Sequence, residues 1–289
     1  MKTLYSLILV LGVLSIHAQT KENYLQRFSD PTQYVNAAGL KTGIRFINED
    51  PIEPSFWYMD YRVDLAIQNF RLATELTLSN SSYTPYQTHS FSQIRFQVDY
   101  SRDLTLGPID RIRFGASYQI PLLGRFYYDL LYANDGLQFY TQFRVPINEK
   151  LTYYPQVNFA LESTPYRYFE PVVIDGVNYF TETDTRTQIL SLGIANRLVY
   201  TLSPRFYTQL DLNLRFAQPE SLGAYYDELF EQSNSYFQWS AMWGLHYVKK
   251  KMDWSLDIGV RSLPSLDLEG LNYEHVEPYF GLGLRYAIE

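Results

Sequence analysis

The chain has 289 residues, no cysteine and a net charge of −7. The acidic balance argues against a nucleic-acid partner held through phosphate contacts, and the missing cysteines exclude a disulfide-stapled secreted domain. Mean hydropathy is slightly negative, with no apolar run near the ~18–20 residues of a membrane helix after the N-terminal segment. That excludes a helical membrane protein and leaves a barrel open, because half of each barrel strand can be polar.

The N-terminus reads as an export signal. Lys2 gives a basic start, Leu4 to Ile16 form a short apolar run, and His17-Ala18-Gln19 offer a cut after Ala18. The expected organisation is a signal peptide over 1–18 and one domain over 19–289. Aromatic residues make up 17% of the chain, with 27 tyrosines and 18 phenylalanines, suiting a protein whose surface includes membrane interfaces.

Twelve strands are predicted, at 39–48, 56–67, 70–80, 90–100, 111–122, 137–147, 151–162, 188–201, 205–217, 236–248, 252–262 and 278–288. The second shows the pattern best. Trp57, Met59, Tyr61, Val63, Leu65 and Ile67 share one parity, and Tyr58, Asp60, Arg62, Asp64, Ala66 and Gln68 the other. Side chains alternate faces along a strand, so one face is apolar and its opposite polar. Ile94, Phe96, Val98 and Tyr100 repeat this, as do Phe206, Leu210, Leu212, Leu214 and Phe216.

Connections alternate in length. The short set is 68–69, 148–150, 203–204 and 249–251, with 101–110 a longer member; the long set is 49–55, 81–89, 123–136, 163–187, 218–235 and 263–277. Short turns at one end and long loops at the other describe a transmembrane antiparallel β-barrel of about twelve strands. With an even strand count and the short turns in the periplasm, both termini are expected there too. A soluble β-sandwich, the alternative, would need all twelve aromatic faces inside one core.

The last strand reads Tyr279-Phe280-Gly281-Leu282-Gly283-Leu284-Arg285-Tyr286-Ala287-Ile288-Glu289. Here the chain resembles bacterial outer-membrane β-barrel proteins, whose C-terminal strand alternates in this way, although Glu289 stands where an aromatic residue is usual. The resemblance is of class, covers the chain after the signal, and implies residence in a Gram-negative-type outer membrane, with membrane lipid as neighbour.

The polar parity carries Arg45, Arg62, Arg71, Arg95, Arg113, Arg144, Arg197, Arg215, Arg261 and Arg285, with Asp60, Asp64, Glu75, Asp99, Glu162, Asp211 and Asp257. A lipid-facing arginine at midplane would cost roughly 2–4 kcal/mol, so these residues are expected to line the lumen. Two roles compete. In one, arginines draw small polar or anionic solutes through a passive channel; in size and arginine richness the chain is similar to the small monomeric porins that pass acidic oligosaccharides. In the other, an Arg–carboxylate network fills and braces a narrow barrel, serving as a non-conducting scaffold or accessory barrel of an outer-membrane complex.

The long loops hold seventeen acids, among them Asp129, Glu170, Glu182, Asp227 and Glu277, against Arg125, Arg167 and Arg186. With Tyr127, Tyr168 and Tyr225 nearby, these loops are candidate contacts for outer-membrane protein partners; their simplest role is a solvated crown. No enzyme is expected, for there is no nucleophile elbow, HExxH, phosphate loop or metal-ligand spacing, and no cofactor or metal is implied. His89 begins a strand without an orienting acid in view. His246 has lumen parity, with Ser255 and Asp257 as expected neighbours.

Overall fold

The computed structural model describes residues 24–45, 56–80, 89–122, 135–174, 177–221, 236–264 and 274–288. A short helix, α1 (Tyr24–Ser29), precedes twelve strands: β1 (Ala37–Arg45), β2 (Phe56–Ile67), β3 (Phe70–Asn80), β4 (His89–Leu106), β5 (Ile109–Pro121), β6 (Asp135–Pro146), β7 (Leu151–Ile174), β8 (Val177–Ser203), β9 (Phe206–Ser221), β10 (Tyr236–Lys249), β11 (Met252–Pro264) and β12 (Glu274–Ala287). Each pairs antiparallel with its sequence neighbour. The ring closes where β1 meets β12, from Ala37↔Ala287 to Arg45↔Tyr279. Closure leaves no free sheet edge, the condition for a sheet to stand in hydrocarbon.

Alternation decides which face points out. Leu72, Val98, Phe114, Phe139, Ile194, Leu212, Trp243, Ile258 and Leu282 are exposed on the outer surface, while Asp64, Asp99, Asp211 and Asp257 are buried on the opposite face. An apolar exterior around a polar interior inverts the arrangement of a soluble sandwich and suits lipid as the outer solvent.

All twelve predicted strands are present, with two differences between them. The connection predicted over 101–110 is mostly strand: β4 runs to Leu106, Gly107 takes a left-handed φ of 58° at the turn, and β5 begins at Ile109. A register irregularity between Asp103 and Leu106 absorbs the uneven pattern there. The loop predicted over 163–187 is instead the outer part of a long hairpin, paired from Ser163↔Gln188 to Ile174↔Val177. Its Tyr, Thr, Val and Phe content favours extended backbone, and a ladder outside a bilayer needs no greasy parity. The remaining long connections fall mainly, and the signal segment 1–18 wholly, outside the described residues.

One end of the barrel gathers the short turns at 68–69, 107–108, 147–150, 204–205 and 250–251 together with the start of β1 and the end of β12. Residues 24–36 are held at this end.

Candidate functional site

At the short-turn end the interior face turns apolar. Ala37, Tyr154, Val199, Tyr207, Val248 and Ala287, from six strands, form one buried cluster with Leu25 and Phe28 of α1 and with Val35. Tyr24 packs against it. Helix α1 is a single amphipathic turn and a half, too short to be stable alone, so this contact is what gives it a place.

The chain then crosses to the other side of the mouth through polar ties. Asp30, almost fully buried, accepts from Thr32 N at 2.9 Å, Thr32 Oγ1 at 2.6 Å and Gln33 Nε2 at 3.2 Å. It also pairs with Arg144 of β6 at 3.0 Å. Arg113 of β5 donates to the Pro31 carbonyl at 3.1 Å. The guanidinium of Arg71 lies 5.3 Å from the Tyr34 ring centre, and that of Arg285 lies 5.4 Å from Phe28. Burial pushes the Tyr34 phenol up to about 12, against the pull of the Arg113 guanidinium. Asn36 accepts from Ala66 N at 2.6 Å through its side chain and from Ile288 N at 2.7 Å through its carbonyl. Residues 24–36 thus touch β2, β3, β5 to β10 and β12, and they occupy the mouth.

Next to this segment lies a charge network. Asp64 pairs with Arg62 at 3.0 Å, Arg285 at 3.3 Å and Arg71 at 3.8 Å. Asp99 pairs with Arg71 at 2.5 Å and Arg113 at 3.1 Å, and it accepts a short hydrogen bond from the Tyr140 hydroxyl. Gly115, directly opposite Tyr140, makes room for this: a Cβ there would run into the Tyr140 ring and the Asp99 carboxylate. Glu75 links Arg62 at 3.3 Å to Arg95 at 3.7 Å. Further pairs are Lys41 with Asp257 at 2.7 Å, Arg197 with Asp211 at 2.6 Å and Arg215 with Glu162 at 2.8 Å. Asp60 accepts from Thr77 at 2.7 Å. Arg261 is half-buried on β11, and Arg45 ends β1 opposite Phe56 with its side chain outside the described residues.

Two classes of guanidinium result. Arg71 and Arg113, beside the mouth segment, keep only 8% and 7% of their side-chain exposure. Arg62, Arg95, Arg197, Arg215 and Arg285 keep between 29% and 36%. A charged group on the inner face of a closed barrel can be exposed only to water inside it.

His246 differs from its predicted surroundings. Ser255 is its cross-strand partner as the spacing required, and Asp257 lies near it beside Gly244, but the carboxylate at hydrogen-bonding distance is Asp253, with both oxygens 3.2 Å from Nδ1. The barrel's tilt brings the diagonal residue nearer the turn into reach, while Asp257 turns to Lys41. Tyr207 stacks on the imidazole at 4.2 Å and donates to Asp253 at 2.9 Å. The side chains of His89 and His275 lie outside the described residues.

Sequence reading missed Lys41, Asp30, Asp253 and the whole mouth segment. A signal was there: Tyr154, Val199, Tyr207 and Val248 are apolar intrusions on the polar parity, all close to short turns, and Tyr24, Leu25 and Phe28 offer an apolar stripe to meet them.

No family model and no curated protein matches the chain. Solved structures do. The NanC porin aligns with a TM-score of 0.52 at 11% identity, over 86% of this chain and 98% of that one. The KdgM porin in complex with disordered oligogalacturonate has a TM-score of 0.45 at 10% identity, covering 88% and 99%. Outer membrane phospholipase A from Escherichia coli has 0.45 at 11%, covering 88% and 94%. The likeness to NanC is one of fold: this chain has the closed twelve-stranded architecture of the outer-membrane barrels.

Proposed function

We propose that the protein is an outer-membrane channel with its short-turn end and both termini in the periplasm, and that its arginine-rich lumen takes small polar or anionic solutes from the long-connection side. The observation that carries this reading is the partial exposure of five interior arginine side chains. A lumen filled with side chains would leave them fully buried, and partly exposed cations inside low-dielectric walls set up a strong field. Arginine's fork of donors suits carboxylate and phosphate groups. The ion-pair chain from Arg285 through Asp64, Arg62 and Glu75 to Arg95 favours bracing as a second role of the same residues, and bracing along the wall is compatible with an open centre.

Planar-bilayer recording tests the reading. Under a salt gradient the reversal potential should show anion preference, and cation preference refutes the arginine-lined path. Folded protein that carries no stable current, with residues 24–36 either in place or released, refutes the channel itself.

A further inference from the structure

We infer that residues 24–36 are a gate: a plug that closes the short-turn mouth of the lumen and opens it on leaving. The inference rests on the channel reading above and goes beyond it. Three observations carry it. The segment covers the mouth from both sides, with Leu25 and Phe28 against the apolar ring and Pro31 and Tyr34 on Arg113 and Arg71 across from it. It is dispensable to the barrel, because β1 closes on β12 through its own register and, among the described residues, the backbone hydrogen bonds of 26–33 are local ones, such as Asp30 N to Gln26 O and Gln33 N to Asp30 O. It is also built unlike the wall, being a six-residue helix and a turn that meet the barrel through side chains until Asn36 joins the sheet. A segment that seals a pore and adds no rung to its ladder before Asn36 has two available positions, and the docked one is the closed state.

The polar latch is identifiable. Asp30 organises the turn through Thr32 and Gln33 while it pairs with Arg144, so one carboxylate shapes the segment and fixes it. Removing that carboxylate and breaking the apolar contact at Phe28 should free the plug and leave every strand pairing intact.

The test compares the wild-type full-length chain with the double variant Phe28→Asp, Asp30→Ala in two measurements on folded, bilayer- or detergent-embedded protein. Trypsin cleavage after Arg27, within α1, reports release. Ionic current reports opening. The expected result is faster cleavage at Arg27 with the barrel itself still protected, and a mean current raised by up to about tenfold, which is what a tenfold shift in a two-state equilibrium from a mostly closed start produces. Faster cleavage with equal currents in both proteins overturns the gate and leaves the channel standing. Faster cleavage with no current in either overturns both. Cleavage at the wild-type rate overturns the assignment of Asp30 and Phe28 as the latch.

Discussion

Asp99 satisfies two arginines and a phenol at once, from a position without measurable contact with solvent. Taking away the carboxylate of such a buried set strips two buried guanidiniums of their nearest counter-charge, which costs about 3–5 kcal/mol. Asp99→Ala should therefore lower the urea midpoint of the vesicle-inserted barrel substantially. Glu75→Ala, whose arginine partners are partly hydrated, should cost no more than about 1 kcal/mol, and equal losses from the two would contradict the division between dry and wet guanidiniums. Gly115→Ala belongs with the first: the added methyl meets the Tyr140 ring and the Asp99 carboxylate, and overpacking of this kind costs about 1–3 kcal/mol. Tyr34 bears on the plug. Its phenol ionises near 10 when free and about 12 when docked, so docking favours the neutral form. That contribution is complete below pH 10 and disappears as pH rises through about 12. A fluorophore on Gln26→Cys, in a chain with no native cysteine, should report loosening across that window, and the step should vanish in Tyr34→Phe.

For whole strands, alternation made nearly everything legible. One greasy parity recurring twelve times, with turns alternately short and long, gave the strand count, the order and the outward face, because a closed sheet in lipid imposes a single rule on every strand. Val98 is a representative outward residue, and Val98→Arg should cost about 2–4 kcal/mol near midplane, measured as a shift in the folding midpoint in vesicles; a neutral result would mean that this face does not meet hydrocarbon. Beyond the membrane the rule lapses. The outer hairpin of β7 and β8, with Tyr166-Arg167-Tyr168-Phe169 placing aromatics on both parities, therefore read as a loop. At the mouth the rule is broken on purpose: inward-facing Tyr154, Val199 and Tyr207 serve a segment lying outside the sheet, and strand periodicity carries no information about such a partner. His246 shows the same limit more finely, since spacing supplied its direct neighbour Ser255 but not the diagonal carboxylate that the tilt selects.

The molecule as a whole combines a continuous ion-pair network from β12 through β5 with shorter ion-pair contacts such as Arg197–Asp211 and Arg215–Glu162 on β7 to β9. The most exposed of the five partly exposed interior arginines is Arg95, at 36%, attached to Glu75 at 3.7 Å and to Gln119 at 2.7 Å. Arg95→Gln should reduce anion preference in reversal-potential measurements with little loss of stability, and unchanged selectivity would place the solute path elsewhere in the lumen.

The apolar ring that receives α1 includes Ala37 and Ala287, which face each other across the pairing of the first strand with the last. That part of the surface is complete only once the two ends of the sheet have met, whereas Tyr154, Val199, Tyr207 and Val248 lie on the consecutive strands β7 to β10. During insertion into a membrane, then, the segment finds its full seat only when the cylinder is finished. In a pulse-proteolysis time course, protection of Arg27 should lag behind protection of the strands. Full docking of this segment reports a closed wall: an unfinished barrel holds it only in part, and a finished one seats and seals it.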